Sequence, residues 1–175
     1  MGVSYTVVLC NERTKIVYHI FYKGQRTCGF GQGDHEGDWE RVTMELTSDF
    51  SNIYRVRYNQ HSGFFTRGMG HFPYSSENGG IHPKVYVGKN SNGSYNDDGG
   101  SGGCAYWEDY RNVGNSNKVL KSWKEGRLEN TDADKPWNIF KGSFGRDGYK
   151  RPEHWHDGQC NKPTCKRTGC SRNKV

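Results

Sequence analysis

The sequence predicts an all-β protein: an antiparallel β-sandwich of jelly-roll type, with long glycine-rich loops and at most one or two short helices. Three observations indicate this class. Glycine is abundant, with 24 among 175 residues, aromatic residues make up 14% of the chain, and the hydrophobic content is low at 31%. Such a chain buries aromatic side chains in short strands and uses glycine in the turns between them. Its length fits one domain with a sizeable core.

The first four strands are predicted from runs of β-branched and aromatic residues and from alternation of polar and apolar residues. The second strand is such a run, and the third strand alternates. Turn residues at 49–52 join the third and fourth strands into a hairpin. A glycine-rich loop over residues 24–37 precedes the third strand. The predicted strands cover residues 4–10, 15–22, about 39–47 and 53–60.

The rest of the chain gives shorter and less regular elements. Glycines and a proline predict a long loop, and a short strand then begins with His82 and Pro83 at its entry. A second loop is almost wholly Asn, Ser, Gly and Asp, and a short basic helix and a closing strand follow. These elements are predicted at residues 64–80, 81–88, 89–103, 117–127 and 136–145. We predict one domain over residues 1–150, with a cysteine-rich basic tail over residues 151–175 packed on it.

The stretch Gly-Asp-His-Glu-Gly-Asp-Trp-Glu at residues 33–40 is the most informative motif. Successive side chains of a strand point to opposite faces. Asp38 and Glu40 therefore share a face with the apolar residues of the strand that follows, while Trp39 lies on the opposite face. Because a buried carboxylate without a partner is costly, a metal ion, an Arg or a His is expected beside them. The alternative is that both carboxylates are solvated at an open sheet edge.

The six cysteines and the loop-rich composition predict disulfides and a secreted protein. The sequence leaves their pairing open. The last three cysteines, with His154 and His156 nearby, also suggest a zinc site, although their spacing is a poor zinc pattern.

No stretch reaches the roughly 18 apolar residues of a membrane helix. No secretory signal is visible, and the first six residues formally fit a myristoylation pattern, which a start Met added to a mature sequence explains better.

The net charge of +6 is concentrated in the basic tail. A basic surface suits nucleic acid, anionic lipid or an acidic polysaccharide. A tail that only improves solubility is an equal alternative.

Three distant segments carry hard polar groups at strand ends: His35 with Asp38 and Glu40, then His61, then His82. His, Asp and Glu around one point are the ligands of Ca²⁺, Mg²⁺, Mn²⁺ or Zn²⁺. They are also the groups used in general acid–base catalysis. Each histidine alone is more typical of a surface or packing residue, so it is their convergence that indicates a site.

In order and spacing, four motifs resemble those of the vacuolar protein sorting-associated protein 62 family. The resemblance covers roughly residues 15–146, and residues 136–145 are similar to the closing segment of that family. One departure is Asn92, where the family usually has His; an amide ligates a cation weakly and transfers no proton. The four motifs are GDHEGDWERVT at residues 33–43, QHSG at 60–63, HPKVYV at 82–87 and SNGSY at 91–95.

A looser resemblance is to the necrosis- and ethylene-inducing peptide-like cytolysins. It implies a secreted β-sandwich whose motif holds a divalent cation and engages membrane sphingolipid sugars. Asp38 and Glu40 would be the cation ligands, with His35 beside them. This chain has Glu-Gly at residues 36–37 where the cytolysin motif has Arg-His, so toxicity is not implied. The matching stretches are GDWE at residues 37–40, HSG at 61–63 and HP at 82–83.

Three functions are consistent with these features. The first is a secreted protein that binds a glycan or a glycolipid headgroup through a divalent cation, with Ca²⁺ or Mg²⁺ preferred to Zn²⁺. The second is a glycoside hydrolase or lyase that cleaves a polysaccharide or another polyanion by metal-assisted or acid–base chemistry. The third, ranked last, is a nucleic-acid binder or nuclease. The predicted metal ligands are Asp38, Glu40 and His35. The predicted catalytic residues are Glu40, His61, His35 and Asp38. The predicted ligand-binding residues are Trp39, His82, Asn92 and Tyr95.

Overall fold

The computed structural model describes residues 2–10, 13–26, 33–60, 63–102, 108–111, 121–122 and 128–130 of the chain. Within these ranges the backbone forms strands and turns and no α-helix. The prediction of an all-β fold is therefore confirmed. Over the same ranges, no helix is long and apolar enough to cross a membrane.

The described part of the chain contains ten strands, and the longest come first. The first five are β1 (Gly2–Leu9), β2 (Thr14–Gln25), β3 (His35–Leu46), β4 (Ile53–Gln60) and β5 (Gly63–Gly68). The later strands are short: β6 (Tyr74–Glu77), β7 (Gly80–Pro83), β8 (Tyr86–Val87), β9 (Ser94–Tyr95) and β10 (Leu128–Asn130).

Six of these strands form one sheet in the order β10-β1-β2-β3-β4-β5. Neighbouring strands are antiparallel, except that β1 and β10 are parallel. Two hairpins, β6–β7 and β8–β9, lie outside this sheet. Strand β9 packs against β3 and β4, so the β8–β9 hairpin covers the middle of the sheet near the beginning of β3.

The apolar core lies on one face of the six-stranded sheet. Val56 and Tyr58 of β4 have no solvent exposure, and Val42 of β3 is 4% exposed. Met44 and Leu46 pack at the margin of the same cluster. Their burial removes apolar surface from water, which is the main favourable term in folding. The alternation in β3 thus correctly predicted which of its faces is turned to the core.

Two of the predicted loops contain strands, and the prediction is wrong there. The long loop over residues 64–80 holds β5 and β6, and the polar loop over residues 89–103 holds β9. These strands are two to six residues long and are flanked or interrupted by glycine and serine. Local propensity is weak in such segments, so pairing with a neighbouring strand decides their structure.

The edges of the longer elements also differ from the prediction. Strands β2 and β3 extend into the predicted loop over residues 24–37, because Gly24 pairs with Glu36 and Gln25 pairs with His35. Much of the acidic motif is therefore strand. The predicted strand over residues 81–88 is two strands, β7 and β8, which belong to different hairpins. Strand β4 has the predicted bounds.

Several predictions fall outside the described residues. They concern the helix at residues 117–127, the closing strand at 136–145, the tail at 151–175, His61, and all cysteines except Cys10. Cys10 is disulfide-bonded. The division into a domain and a tail, and the disulfide framework as a whole, stay predictions.

Candidate functional site

Two buried carboxylates mark the beginning of β3. Asp38 is 6% exposed and Glu40 is 5% exposed. They occupy consecutive positions on the core face of the strand, so their Cα atoms lie about 7 Å apart. Both stand beyond the residues of β3 that pair with β4, since that pairing begins at Val42. The predicted inward orientation of the two carboxylates is thus what the structure has, and the alternative of a solvated sheet edge is excluded by their burial.

Tyr22 of β2 lies directly opposite Asp38 in the sheet. Burial, followed by the negative charges of Glu40 and Asp38, raises the pKa of the Tyr22 phenol well above its usual value. The hydroxyl therefore stays neutral and can donate a hydrogen bond. Its oxygen is buried and has no hydrogen-bond partner in the described part of the chain. A buried polar atom without a partner is uncommon in proteins and is a candidate contact for a ligand.

Asn92 closes the site from the β8–β9 turn. Its side-chain Nδ2 donates to Asp38 Oδ2 at 2.9 Å and to the Gly24 carbonyl oxygen at 3.0 Å. Asn92 has a φ of 54°, a left-handed conformation that Asn adopts more readily than most residues. At Gly24 a Cβ atom would lie 2.9 Å from the His35 carbonyl oxygen. Glycine at this position lets β2 and β3 stay close together where Asn92 joins them.

Tyr95 of β9 forms the wall of the site beside Glu40. Its side chain is 2% exposed, its hydroxyl lies 3.4 Å from Ser91 Oγ, and the guanidinium carbon of Arg111 lies 4.2 Å from its ring centroid. Burial raises the pKa of Tyr95 to about 12, and the negative charges of Asp109 and Glu40 act in the same direction. Arg111 in turn is bound by Asp97 Oδ1 at 2.5 Å.

The other predicted site residues lie elsewhere or outside the described ranges. Trp39 is on the opposite face of β3, where its ring centroid is 4.8 Å from that of Phe21. His35 pairs with Gln25 at the start of β3, and Gly37, with a φ of 75°, separates it from the two carboxylates. A ring nitrogen of His82 lies 3.4 Å from the Glu77 carbonyl oxygen in the β6–β7 hairpin, and His61 is outside the described residues. The structure thus brings together Asp38, Glu40, Asn92 and Tyr95.

The cation site and the catalytic roles stay predictions. Among the described residues, no group of three or more His, Cys, Asp and Glu side chains is arranged to hold a metal ion. The site combines two carboxylates, a neutral phenol and an amide, which are polar oxygen and nitrogen groups in one buried place. Such a set can bind a small hydroxylated molecule by hydrogen bonds, or a cation through the two carboxylates.

Sequence reasoning missed three residues of this site: Tyr22, Asp109 and Arg111. Tyr22 carried a signal, because it has the same strand parity as the core residue Ile20. Only the pairing register between β2 and β3 shows that it faces Asp38. Asp109 and Arg111 lie in an irregular segment, and nothing in the sequence pattern connects them with the acidic motif.

Comparison with known proteins gives a structural likeness only. No family model matches the chain, and no curated protein matches it. Three solved structures of NLPPya match 89% of this chain: the complex with glucosamine (TM-score 0.57, 16% identity, 65% of that chain covered), the complex with mannosamine (0.56, 16%, 64%) and a triple mutant (0.55, 15%, 64%). The chain thus spans slightly less than two thirds of the length of these structures.

At this level of identity the likeness shows the fold and nothing more. It supports the predicted β-sandwich and the looser resemblance, because NLPPya is a cytolysin-like protein. The resemblance to the vacuolar protein sorting-associated protein 62 family receives no support from any of the three comparisons.

Proposed function

We propose that this protein binds glycans at the site formed by Asp38, Glu40 and Tyr22, with a divalent cation held by the two carboxylates. The observation that carries the proposal is the pair of buried carboxylates at consecutive inward positions of β3. Two carboxylates in a poorly solvated place need a compensating positive charge or several hydrogen-bond donors. Asn92 supplies one donor to Asp38, and a bound cation would add positive charge beside both carboxylates.

The donor set fits Ca²⁺ or Mg²⁺ better than Zn²⁺. Both of the former bind carboxylate oxygens and complete their coordination with carbonyls, water or ligand oxygens. Zinc sites commonly use Cys or His as well as carboxylates, whereas the two side chains proposed here as ligands supply oxygen only. The buried Tyr22 hydroxyl without a partner is a further oxygen at the same place. When bound, the cation would coordinate neighbouring hydroxyl groups of a sugar.

The chain's own residues orient the ligand in this proposal. Asn92 holds the Asp38 carboxylate in one orientation, and Tyr22 offers its hydroxyl to a sugar oxygen. Tyr95 is kept rigid by burial and by the overlying Arg111. Tyr110 is 39% exposed, and its carbonyl oxygen accepts from the backbone N–H of Lys89, next to the β8–β9 turn, at 3.0 Å. An exposed aromatic ring is suited to packing against the apolar face of a sugar.

Glycan binding is favoured over other ligand classes by two of the structural neighbours. They are NLPPya in complex with glucosamine and with mannosamine, and this chain has a similar fold. By that analogy the ligand of this protein is a glycan or the sugar headgroup of a lipid. Secretion, the predicted location, is part of the same proposal, since such ligands are found at cell surfaces.

Calorimetric titration of glucosamine and N-acetylglucosamine tests this proposal. Each sugar is titrated into protein saturated with Ca²⁺ or Mg²⁺ and into protein kept in excess chelator. Both sugars keep their ring hydroxyls, so we expect both to bind in the presence of the cation and neither to bind in its absence. Binding of glucosamine alone, unchanged by chelator, would show that its ammonium group takes the place of the cation. Failure of every sugar with every cation would contradict glycan binding.

A further inference from the structure

We infer that Asp109 is a positioning residue for this site: it holds the β8–β9 turn so that Asn92 reaches Asp38. The inference rests on the proposed function only for its effect on ligand binding. Asp109 is 2% exposed, although Asp is among the residues that are least often fully buried. It lies far along the chain from the acidic motif, and the hydrogen bonds of its side chain go to the backbone of the β8–β9 turn.

The carboxylate of Asp109 binds the backbone of the turn at two successive residues. Its Oδ2 atom accepts from the N–H of Ser91 at 2.7 Å and from the N–H of Asn90 at 3.1 Å, and Oδ1 lies 3.2 Å from the same Asn90 nitrogen. Hydrogen bonds from N–H groups to an ionised carboxylate are about twice as strong as those between neutral groups. A side chain at Gly88 would collide with this carboxylate, so glycine there allows the close approach.

The residue after Ser91 is Asn92, and its geometry depends on these bonds. Ser91 Oγ accepts from the N–H of Gly93 at 3.2 Å, and the N–H of Asn92 donates to the Gly88 carbonyl oxygen at 3.1 Å. The turn is thus closed on both sides of Asn92, which has the left-handed backbone conformation described above. From that position its side chain spans from Gly24 to Asp38. Asp109 thereby determines which orientation of the Asp38 carboxylate is available to a ligand.

The backbone around Asp109 is itself fixed by hydrogen bonds. Arg111 Nη1 donates to the Asp109 carbonyl oxygen at 3.1 Å, and the N–H of Lys89 donates to the carbonyl oxygen of the intervening Tyr110. Asp97, which is half exposed, binds the far side of the Arg111 guanidinium. Within the described ranges the hydrogen bonds of Asp97 go to Gly99 and Arg111, so Asp97 is a suitable control: it binds the same arginine and not the β8–β9 turn.

The test compares Asp109→Asn with Asp97→Asn, two changes that each remove one negative charge. At position 109 the amide nitrogen would oppose a backbone N–H where the second carboxylate oxygen accepts one. We expect the side-chain amide NMR signals of Asn92, assigned by their loss in Asn92→Ala, to move in Asp109→Asn and to stay unchanged in Asp97→Asn. Glucosamine affinity in Ca²⁺ should fall by about tenfold or more in Asp109→Asn only, as for other groups that orient a ligand.

The two readouts separate the inference from the proposed function. If the native protein binds no sugar but the Asn92 signals still move in Asp109→Asn, the positioning role is supported and the proposed function fails. Unchanged Asn92 signals in a folded Asp109→Asn protein would overturn the inference. If Asp109→Asn does not fold, Asp109→Ser, which keeps one oxygen acceptor, is read in the same way.

Discussion

Replacing Asp38 with Asn is expected to abolish cation-dependent glycan binding and to leave the fold at least as stable as before. The substitution conserves shape, and the new amide oxygen can still accept from Asn92 Nδ2, which lies 2.9 Å from the Asp38 carboxylate. Binding loses one of two charged ligands. Removing one partner of a buried charge pair costs about 2–5 kcal/mol, which corresponds to a loss of affinity of at least about 30-fold.

The free energy of unfolding of Asp38→Asn should be higher than that of the native protein, or unchanged. Asp38 is 6% exposed, and burying a charge is unfavourable unless it is fully compensated. Asp38→Asn removes that charge in the absence of ligand. Chemical denaturation without ligand measures the free energy of unfolding, and calorimetric titration with glucosamine in Ca²⁺ measures binding.

Asp49→Asn is the matched control. Asp49 is an exposed carboxylate in the β3–β4 turn, at the other end of β3 and about 25–30 Å from Asp38 along the strand. Hydrogen bonds from Thr47 and Ser51 lower its pKa to about 2, so Asp49 is charged at neutral pH. Asp49→Asn therefore removes one negative charge at a place remote from the site. Glycan binding that falls equally in both variants, or that survives Asp38→Asn, would contradict the proposed site.

Tyr58→Ala is expected to give the largest loss of stability of any single change in the described core. Tyr58 has no solvent exposure, and it stands opposite Val42 and Phe65 on the neighbouring strands. Truncation of a buried aromatic side chain to Ala costs about 3–5 kcal/mol, through lost burial and the cavity left behind. That is a large part of the 5–15 kcal/mol by which typical domains are stable, so unfolding at low denaturant concentration is the expected observation.

Two further variants show whether the loss of stability in Tyr58→Ala comes from the buried ring. Tyr58→Phe keeps the ring and removes the hydroxyl, which donates to the Lys84 carbonyl oxygen at 3.3 Å; we expect a cost of about 0.5–1.5 kcal/mol. Tyr74→Ala truncates a tyrosine that is 51% exposed, and it should change the free energy of unfolding far less. If Tyr58→Ala costs no more than Tyr74→Ala, the core does not lie where the structure places it.

The sequence predicted the features that depend on strand periodicity. Alternation alone placed Asp38 and Glu40 on the core face of β3 and Trp39 on the other, and it gave the bounds of β4. This worked because the apolar and polar positions of these strands are well separated, and a one-residue shift would reverse both faces. Asn92 and Tyr95 entered through a family resemblance rather than through periodicity, and the structure does place them at Asp38 and Glu40.

The sequence could not predict contacts that depend on register and on irregular backbone. Tyr22 faces Asp38 only because β2 and β3 pair with the observed register. Asp109 reaches the turn before Asn92 through hydrogen bonds to backbone N–H groups, which any residue except proline could supply. The glycines at both ends of β5 are typical of turns and predict a loop, whereas pairing with β4 makes this segment a strand.

The most direct test of the central claim is thermal unfolding of the chelated protein titrated with Ca²⁺, Mg²⁺, Mn²⁺ and Zn²⁺, for the native chain and for Glu40→Gln. An ion that binds only the folded state adds about 2.7 kcal/mol of stability at a hundred times its Kd. The account predicts a rise in unfolding temperature with Ca²⁺ or Mg²⁺ that is lost in Glu40→Gln. No rise with any ion, or an equal rise in the variant, would contradict a cation site at Asp38 and Glu40.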